Sequence, residues 1–287
     1  MKISTEIGSA ARLIGEEKAV EYCAKAGFDA WDFSMTKMID YDHINQKAIR
    51  TNHPLASNDY VLFAKRLRKI GLDNGIECNQ SHAPFPTSCR EIRDLLKRSI
   101  ECTAIAGGKI CVIHPCNDLS PEENAEIYNE ILPFAKEYGV KIATENMWNW
   151  DVEKGEALPA ACSSPESFVK HVDVVNDEFL VACLDIGHAE MKGLNTGAVE
   201  MIYALGHRIE ALHIHDIDKR NDNHEIPFSL NVDFGPIVKA LKDINYSGYF
   251  TLEAVTYLRK FTPENVFDGI KDLADSAKRL AKMFEEA

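Results

Sequence analysis

Long apolar runs are missing from this 287-residue chain, and no window approaches the ~18 consecutive apolar residues of a membrane span. Residues 1–20 hold no apolar core of signal-peptide length, so a cytoplasmic protein is expected. Paired cysteines are absent too. The eight cysteines include no CxxC and no short disulfide-rich spacing, and several, such as Cys111 and Cys183, stand inside apolar stretches. That argues against a disulfide scaffold and predicts reduced, buried thiols. Positive charge is scarce: 32 Lys and Arg against 45 Asp and Glu leave a net −13, with no dense basic cluster to track a phosphate backbone. Nucleic acid is therefore a disfavoured partner, although a local basic groove is compatible with an acidic total. A glycine-rich dinucleotide turn is lacking, because the first candidate strand leads into TEIGSAARLIG without GxGxxG. No Pro/Ser-rich linker, low-complexity run or short-period repeat divides the chain, which reads as one domain over residues 1–287.

What is present is alternation. Apolar, β-branched runs occur at KISTEIG (2–8), FDAWDFS (28–34), GIECNQSHA (75–83), KICVIHP (109–115), VKIATENM (140–147), LVACLDIGH (180–188), IEALHIHD (209–216) and GYFTLEAV (248–255). Each is followed by a segment of 3.6-residue periodicity, at 16–26, 57–70, 88–106, 121–138, 164–176, 196–206, 234–244 and 264–285. Ser120-Pro121-Glu122-Glu123, Ser164-Pro165-Glu166 and Thr262-Pro263-Glu264 have the form of helix starts, with a capping hydroxyl before a proline. Gly27, Gly71, Gly75, Gly139 and Gly248 precede the next strand as stops. Eight β-then-α units with short returns predict an α/β protein, a single (β/α)8 TIM barrel.

Reactive groups of such a barrel gather at the carboxyl ends of its strands. Here those ends carry His82, His114, Glu145, Asp185 with His188 just beyond, His213 with His215 and Asp216, and Glu253, while Asp222 and His224 follow in the loop NDNHE. Barrel closure aims them at one cavity, where several ionised carboxylates repel unless a cation compensates them. A divalent metal is therefore expected. Glu145, Asp185, His213 and Glu253 are the inward-pointing ligand candidates, and their oxygen-rich set suits Mn²⁺ or Co²⁺, with Mg²⁺ and Zn²⁺ also compatible. Trp148, Trp150 and Phe85 follow these ends and offer rings on which a sugar's apolar face can lie. Lys219, Arg220 and Arg259 are the nearby cations, so a free sugar and a sugar phosphate both stay open.

IATENM, CLDIGHAEM, ALHIHD and FTLEAV resemble the four metal-binding strand ends of the xylose isomerase-like TIM barrel superfamily, over essentially the whole chain. Its members include ketose 3-epimerases, hydroxypyruvate isomerases, inosose dehydratases and the endonuclease IV type of AP endonuclease. The resemblance to the ketose 3-epimerases implies a divalent-metal-dependent sugar or sugar-phosphate isomerase or epimerase. It would abstract a proton next to a carbonyl through a metal-stabilised enediolate. Glu145 and Glu253 would be both ligands and acid–base groups, and His188 would contact substrate oxygens. Those epimerases also place an arginine shortly after the strand-seven histidine, a place that Arg220 or Lys219 fills here. Homo-oligomers, dimers or tetramers, are common among them.

Two alternatives follow from the same resemblance. One is a lyase or dehydratase using the same chemistry, including C-glycoside-cleaving subunits that work with a small partner. The other is the AP endonuclease, whose larger multi-zinc ligand set has candidates in His82, His114, Glu145, Asp185, His188, His213, Asp222, His224 and Glu253. Against the nuclease stand the loop EIPFSLNVDFG, which lacks an HSLGEG-like stretch, and the first strand end TEIGSAARL, which lacks an HVSAAGG-like loop. The loops also carry little basic, aromatic-interleaved character for gripping DNA.

Overall fold

The computed structural model describes residues 1–287. Eight parallel strands make one sheet: β1 (Lys2–Glu6), β2 (Ala30–Ser34), β3 (Glu77–His82), β4 (Ile110–Val112), β5 (Lys141–Glu145), β6 (Leu180–Asp185), β7 (Ile209–His213) and β8 (Tyr249–Leu252). Each pairs with its neighbour in sequence, β8 pairs with β1, and a parallel bridge between Ile214 and Leu252 links β7 to β8. The sheet thereby closes into a (β/α)8 barrel, as the alternation predicts. Ser120 caps the helix Pro121–Tyr138 with a full capping box to Glu123, and Ser164 caps Pro165–Asp173. No helix is long and apolar enough to cross a membrane. All eight cysteines are free and buried.

Several local expectations shift. Thr262-Pro263-Glu264 forms a turn in which Asn265 Oδ1 accepts from the Thr262 backbone N–H at 2.7 Å, and the last helix starts only at Val266. Gly71 does not stop its helix but lies within Tyr60–Asp73, where a β-carbon would come 2.9 Å from the Ile76 carbonyl and 3.0 Å from the Trp31 indole nitrogen. Glycine there permits close approach of helix to barrel. A short helix, Gly8–Ile14, follows β1. Two antiparallel hairpins stand on the carboxyl-end loops, Ile39–Asp42 with Lys47–Arg50 and Trp148–Asp151 with Glu156–Pro159, where the sequence shows only loop.

Strand side chains alternate between faces with period two, and the apolar clusters reflect it. A main core of 74 buried residues contains most of the apolar residues buried between strands and helices. A separate small cluster, Val112, Ala143, Val181, Cys183 and Ala211, comes from four adjacent strands and fills part of the barrel interior. The rest of that interior is polar. Ser4 Oγ donates to Asn79 Oδ1 at 2.6 Å, Asn79 Nδ2 donates to Thr251 Oγ1 at 3.1 Å, and Gln80 Nε2 donates to Asp32 Oδ2 at 3.0 Å. β3 and β8 are not neighbours in the sheet, so the Asn79–Thr251 bond crosses the barrel. Stepping two residues along from the interior positions reaches His82, His114, Glu145, Asp185, His213 and Glu253. The site is the next layer of the same inward face.

The first hairpin is tied down by one acid. Lys37 Nζ and His53 Nε2 lie 2.8 and 3.1 Å from Glu16 Oε1. Leu55 N–H donates to His53 Nδ1, which leaves Nε2 as the ring's donor. Burial alone would raise the Glu16 carboxyl, but the hydrogen bonds from His53 and Lys37 override it and hold the pKa at about 2. A carboxyl depressed by folding contributes stability fully above its unfolded pKa, and that stability is lost as pH falls toward the folded one. Glu16→Gln is therefore expected to lower the thermal midpoint at pH 6, with the gap to the wild type shrinking between pH 4.5 and pH 2. Paired melting curves across that range check it; a gap that stays constant would remove Glu16 from this role.

Candidate functional site

Ten polar residues converge above the inner layer. The nearest donor atoms of Glu145, Asp185, His213 and Glu253 all lie within 4.8 Å of one another, as do those of His82, His114 and Glu145, and those of His188, His215, Asp222 and His224. The three groups are contiguous. Glu145 belongs to two of them, and His215 Nε2 lies 3.0 Å from Asp185 Oδ1. Asp185 is fixed by its neighbours. Its backbone N–H donates to Asn146 Oδ1, Asn146 Nδ2 returns a bond to its carbonyl, and its Oδ1 caps the turn Ile186–Ala189 by accepting from the His188 N–H at 2.7 Å.

The histidines are aimed alike. His82 Nδ1 lies 2.8 Å from the Ala83 carbonyl, His188 Nδ1 lies 2.9 Å from the Asn146 carbonyl, and His224 Nδ1 lies 2.8 Å from the Glu253 carbonyl. A carbonyl can only accept, so each Nδ1 carries the proton and each Nε2 is turned inward. His82 Nε2 sits 2.9 Å from His114 Nε2, which is itself 3.2 Å from Glu145 Oε2. His188 Nε2 and His224 Nε2 stand 3.3 and 3.0 Å from Asp222 Oδ2. Orientation of an imidazole by a backbone carbonyl is a recurring outer-shell arrangement of metal-binding histidines.

Electrostatics set the same requirement. Burial, then the adjacent His114, pushes His82 down to about 3, leaving it neutral with a bare Nε2. Burial alone would also lower His188, His213 and His224. The acidic groups around them override it, lifting His224 to about 9 and the other two well above the ordinary histidine value. Burial would likewise raise Glu145, yet His213 and His114 hold it well below the carboxylate range. Glu253 goes the other way. Burial, with Glu145 and Asp185 adding to it against the pull of His213 and His224, pushes it up to about 8. Glu145 Oε2 and Asp222 Oδ1 are buried with no hydrogen-bond partner. Unpaired buried carboxylate oxygens are costly, and these face a set of oxygens and imidazole nitrogens suited to a hard or borderline divalent cation. The donor set therefore fits a metal: Glu145, Asp185, His213 and Glu253 would hold it, with flanking positions at the other two groups.

Of the residues singled out by sequence, the structure gathers His82, His114, Glu145, Asp185, His188, His213, Asp222, His224 and Glu253. Trp148 stands at the edge, its ring 6.4 Å from that of His188. Arg220 is not brought in. Its exposed guanidinium donates from Nε to the Gly155 carbonyl at 2.7 Å and braces the turn of the second hairpin, so the site lacks the cation expected there. Asp216 is a structural carboxylate, accepting from the backbone N–H groups of Ile217, Leu230 and Val232.

Two residues fall outside the ligand and substrate candidates read from the sequence. His215 joins the cluster and stacks on His224 with ring centroids 3.8 Å apart. It lies two residues beyond His213, so the period of the strand was a signal for it. Asp32, on β2, sits beneath the ligands with Oδ2 3.4 Å from His213 Nε2, long for a hydrogen bond but close for a charge. There it favours a proton on Nε2 and so leaves Nδ1, 3.1 Å from Glu145 Oε1, free to ligate. Nothing at the end of FDAWDFS signals this, since Asp32 lies a layer below the strand ends. Asp32→Asn is expected to weaken divalent-cation binding about 10–100-fold, read by competition against a chromophoric chelator. Unchanged affinity would remove Asp32 from that role.

The family model described as xylose isomerase-like TIM barrel matches residues 20–286. Uncharacterized protein MJ1311 of Methanocaldococcus jannaschii is 31% identical over 192 residues, which cover 60% of this chain and 62% of that protein. The match thus spans less than two thirds of that relative's length. A D-tagatose 3-epimerase-like protein superposes over 100% of this chain and 99% of its own, with a TM-score of 0.72 and 22% identity. An L-ribulose 3-epimerase does so over 100% and 95%, with a TM-score of 0.70 and 16% identity. At such identities the likeness speaks for the fold.

Proposed function

Because the chain belongs to the xylose isomerase-like TIM barrel family, we propose that it is a divalent-metal-dependent carbohydrate isomerase or epimerase. The observation that carries this reading is a pair of glutamates from β5 and from just past β8, Glu145 and Glu253, which meet at His213 Nδ1, 3.1 and 3.6 Å from it. Two carboxyls facing one space are the equipment for taking a proton from one place and returning it to another. Fold likeness to ketose 3-epimerases supports the choice of substrate class.

A cation in the cluster supplies the positive charge that stabilises negative charge developing on a carbonyl oxygen. The chain does the rest. The glutamate that is a carboxylate removes the proton from the carbon beside the carbonyl, and the one holding a proton delivers it. Delivery to the opposite face of the same carbon is epimerisation, and delivery to the adjacent carbon is aldose–ketose isomerisation. His188, fixed by the Asn146 carbonyl, is placed to bond substrate oxygens. Mn²⁺ or Co²⁺ suits three carboxylates and one imidazole. The test is to incubate the metal-loaded protein with a panel of ketoses in deuterium oxide. Deuterium should enter at the carbon beside the carbonyl; a panel without any exchange sinks the reading.

A second reading, metal-assisted phosphodiester hydrolysis, is favoured by the three contiguous donor groups, which amount to more than one ion needs. Metal analysis separates the two: one tightly bound ion per chain fits the isomerase, and three zinc ions with nicking of abasic DNA fit the hydrolase.

A further inference from the structure

A groove of about 1440 Å³ runs outward from the cluster over the loops that follow β3, β4 and β5. His114 forms its inner end, and Glu145 Oε2 lies 3.2 Å from the His114 ring nitrogen. Clefts for drug-sized ligands measure about 300–1,000 Å³, and a free hexose is smaller than such a ligand. The groove shares only His114 with the cluster, so it offers room beside the reacting position for a further part of the substrate.

Its walls define what else it takes. Phe85 and Trp148 flank the neck, and the Phe85 ring, 44% exposed, is stacked on His114 at 4.8 Å. An exposed ring held flat suits the apolar face of a pyranose. Farther out, two cations, Arg90 and Arg93, are set against four carboxylates, Asp118, Glu123, Glu126 and Glu130. Arg93 and, from outside the wall, Lys97 each face Glu130 at 3.6 Å, which leaves Asp118, Glu123 and Glu126 against Arg90. A phosphate would meet a wall of net negative charge, whereas hydroxyl groups donate well to carboxylates.

We propose that the substrate is a neutral glycosylated sugar, with one ring reacting at the cluster and a second, uncharged sugar ring lying in the groove. The proposal rests on the carbohydrate reading above and deepens it by excluding a phosphorylated tail. Three ketoses differing only at C6 test it on the metal-loaded protein: D-fructose, D-fructose 6-phosphate and isomaltulose, which carries a glucosyl group there. Calorimetry reads binding, and deuterium incorporation reads the chemistry.

Isomaltulose should bind at least about tenfold more tightly than fructose, the worth of ~1.4 kcal/mol, and fructose 6-phosphate no more tightly than fructose. Ser88→Trp, at an exposed position on the groove wall, should erase the isomaltulose advantage. Equal affinities, binding of none of the three, or tighter binding of the phosphate overturns the proposal. Preferential isomaltulose binding without exchange in any ketose would keep the groove and sink the isomerase reading. Exchange with no preference for isomaltulose would do the reverse.

Discussion

Glu145→Gln and Glu253→Gln are each expected to lower turnover by roughly 10³-fold or more, the upper range of what a positioned acid–base group contributes. The two should differ in a second respect. Glu145 is shared between two donor groups, and its Oε2 faces the His114 and His82 rings at 3.2 and 3.8 Å. Its replacement should also weaken the cation. Glu253 is the weaker acid, its pKa pushed up to about 8, and is the more exposed of the pair, at 15% against 1%. Its replacement should cost turnover while leaving more of the metal bound. Single-turnover assays at saturating Mn²⁺, with metal content measured on the same samples, separate these effects. A fully loaded variant that keeps turnover within tenfold of the wild type would exclude that glutamate from proton transfer.

Gly187→Ala should be the most damaging substitution outside the ligands. A β-carbon on Gly187 would fall 2.0 Å from His215 Cε1 and 2.5 Å from both ring nitrogens. The ring cannot retreat. It is fully buried, held by Asp185 at 3.0 Å on one side and stacked on His224 on another. Overpacking a tight interior costs ~1–3 kcal/mol and sometimes more. At ~2–4 °C per kcal/mol for a chain near this size, a fall of several degrees in the melting midpoint is expected, together with loss of the His188–His215–Asp222–His224 group. Calorimetric melting with and without divalent cation measures both. A variant that melts with the wild type would mean that His215 has room to move.

The pattern of the chain was enough for the barrel. Eight apolar runs each followed by a helical period leave few arrangements, and the caps at Ser120 and Ser164 form from neighbours in sequence. The two hairpins escaped because KAIR and WNWD are short and half-exposed, and their pairing depends on partners across a loop. The ten clustered donors were legible for a similar reason: each stands at the end of a strand or in the loop just after one, and barrel geometry sends all those places to one mouth. Only a role for His215, two residues past His213, was left unassigned.

Asp32 and Arg220 could not have been placed that way. What Asp32 does depends on how far β2 is staggered against β7, and closure of the whole cylinder sets that distance. Arg220 looked like a site residue because it is near His213 in sequence, yet its long side chain reaches a backbone carbonyl on the second hairpin. Donor types and their strand positions are local properties, governed by the two-residue period of a strand, and the amino-acid order determines them directly. Which donors touch, which carboxyl is raised and which lowered, and how wide a groove leads to them are set by separations between strands far apart in the chain. Only the closed barrel decides those.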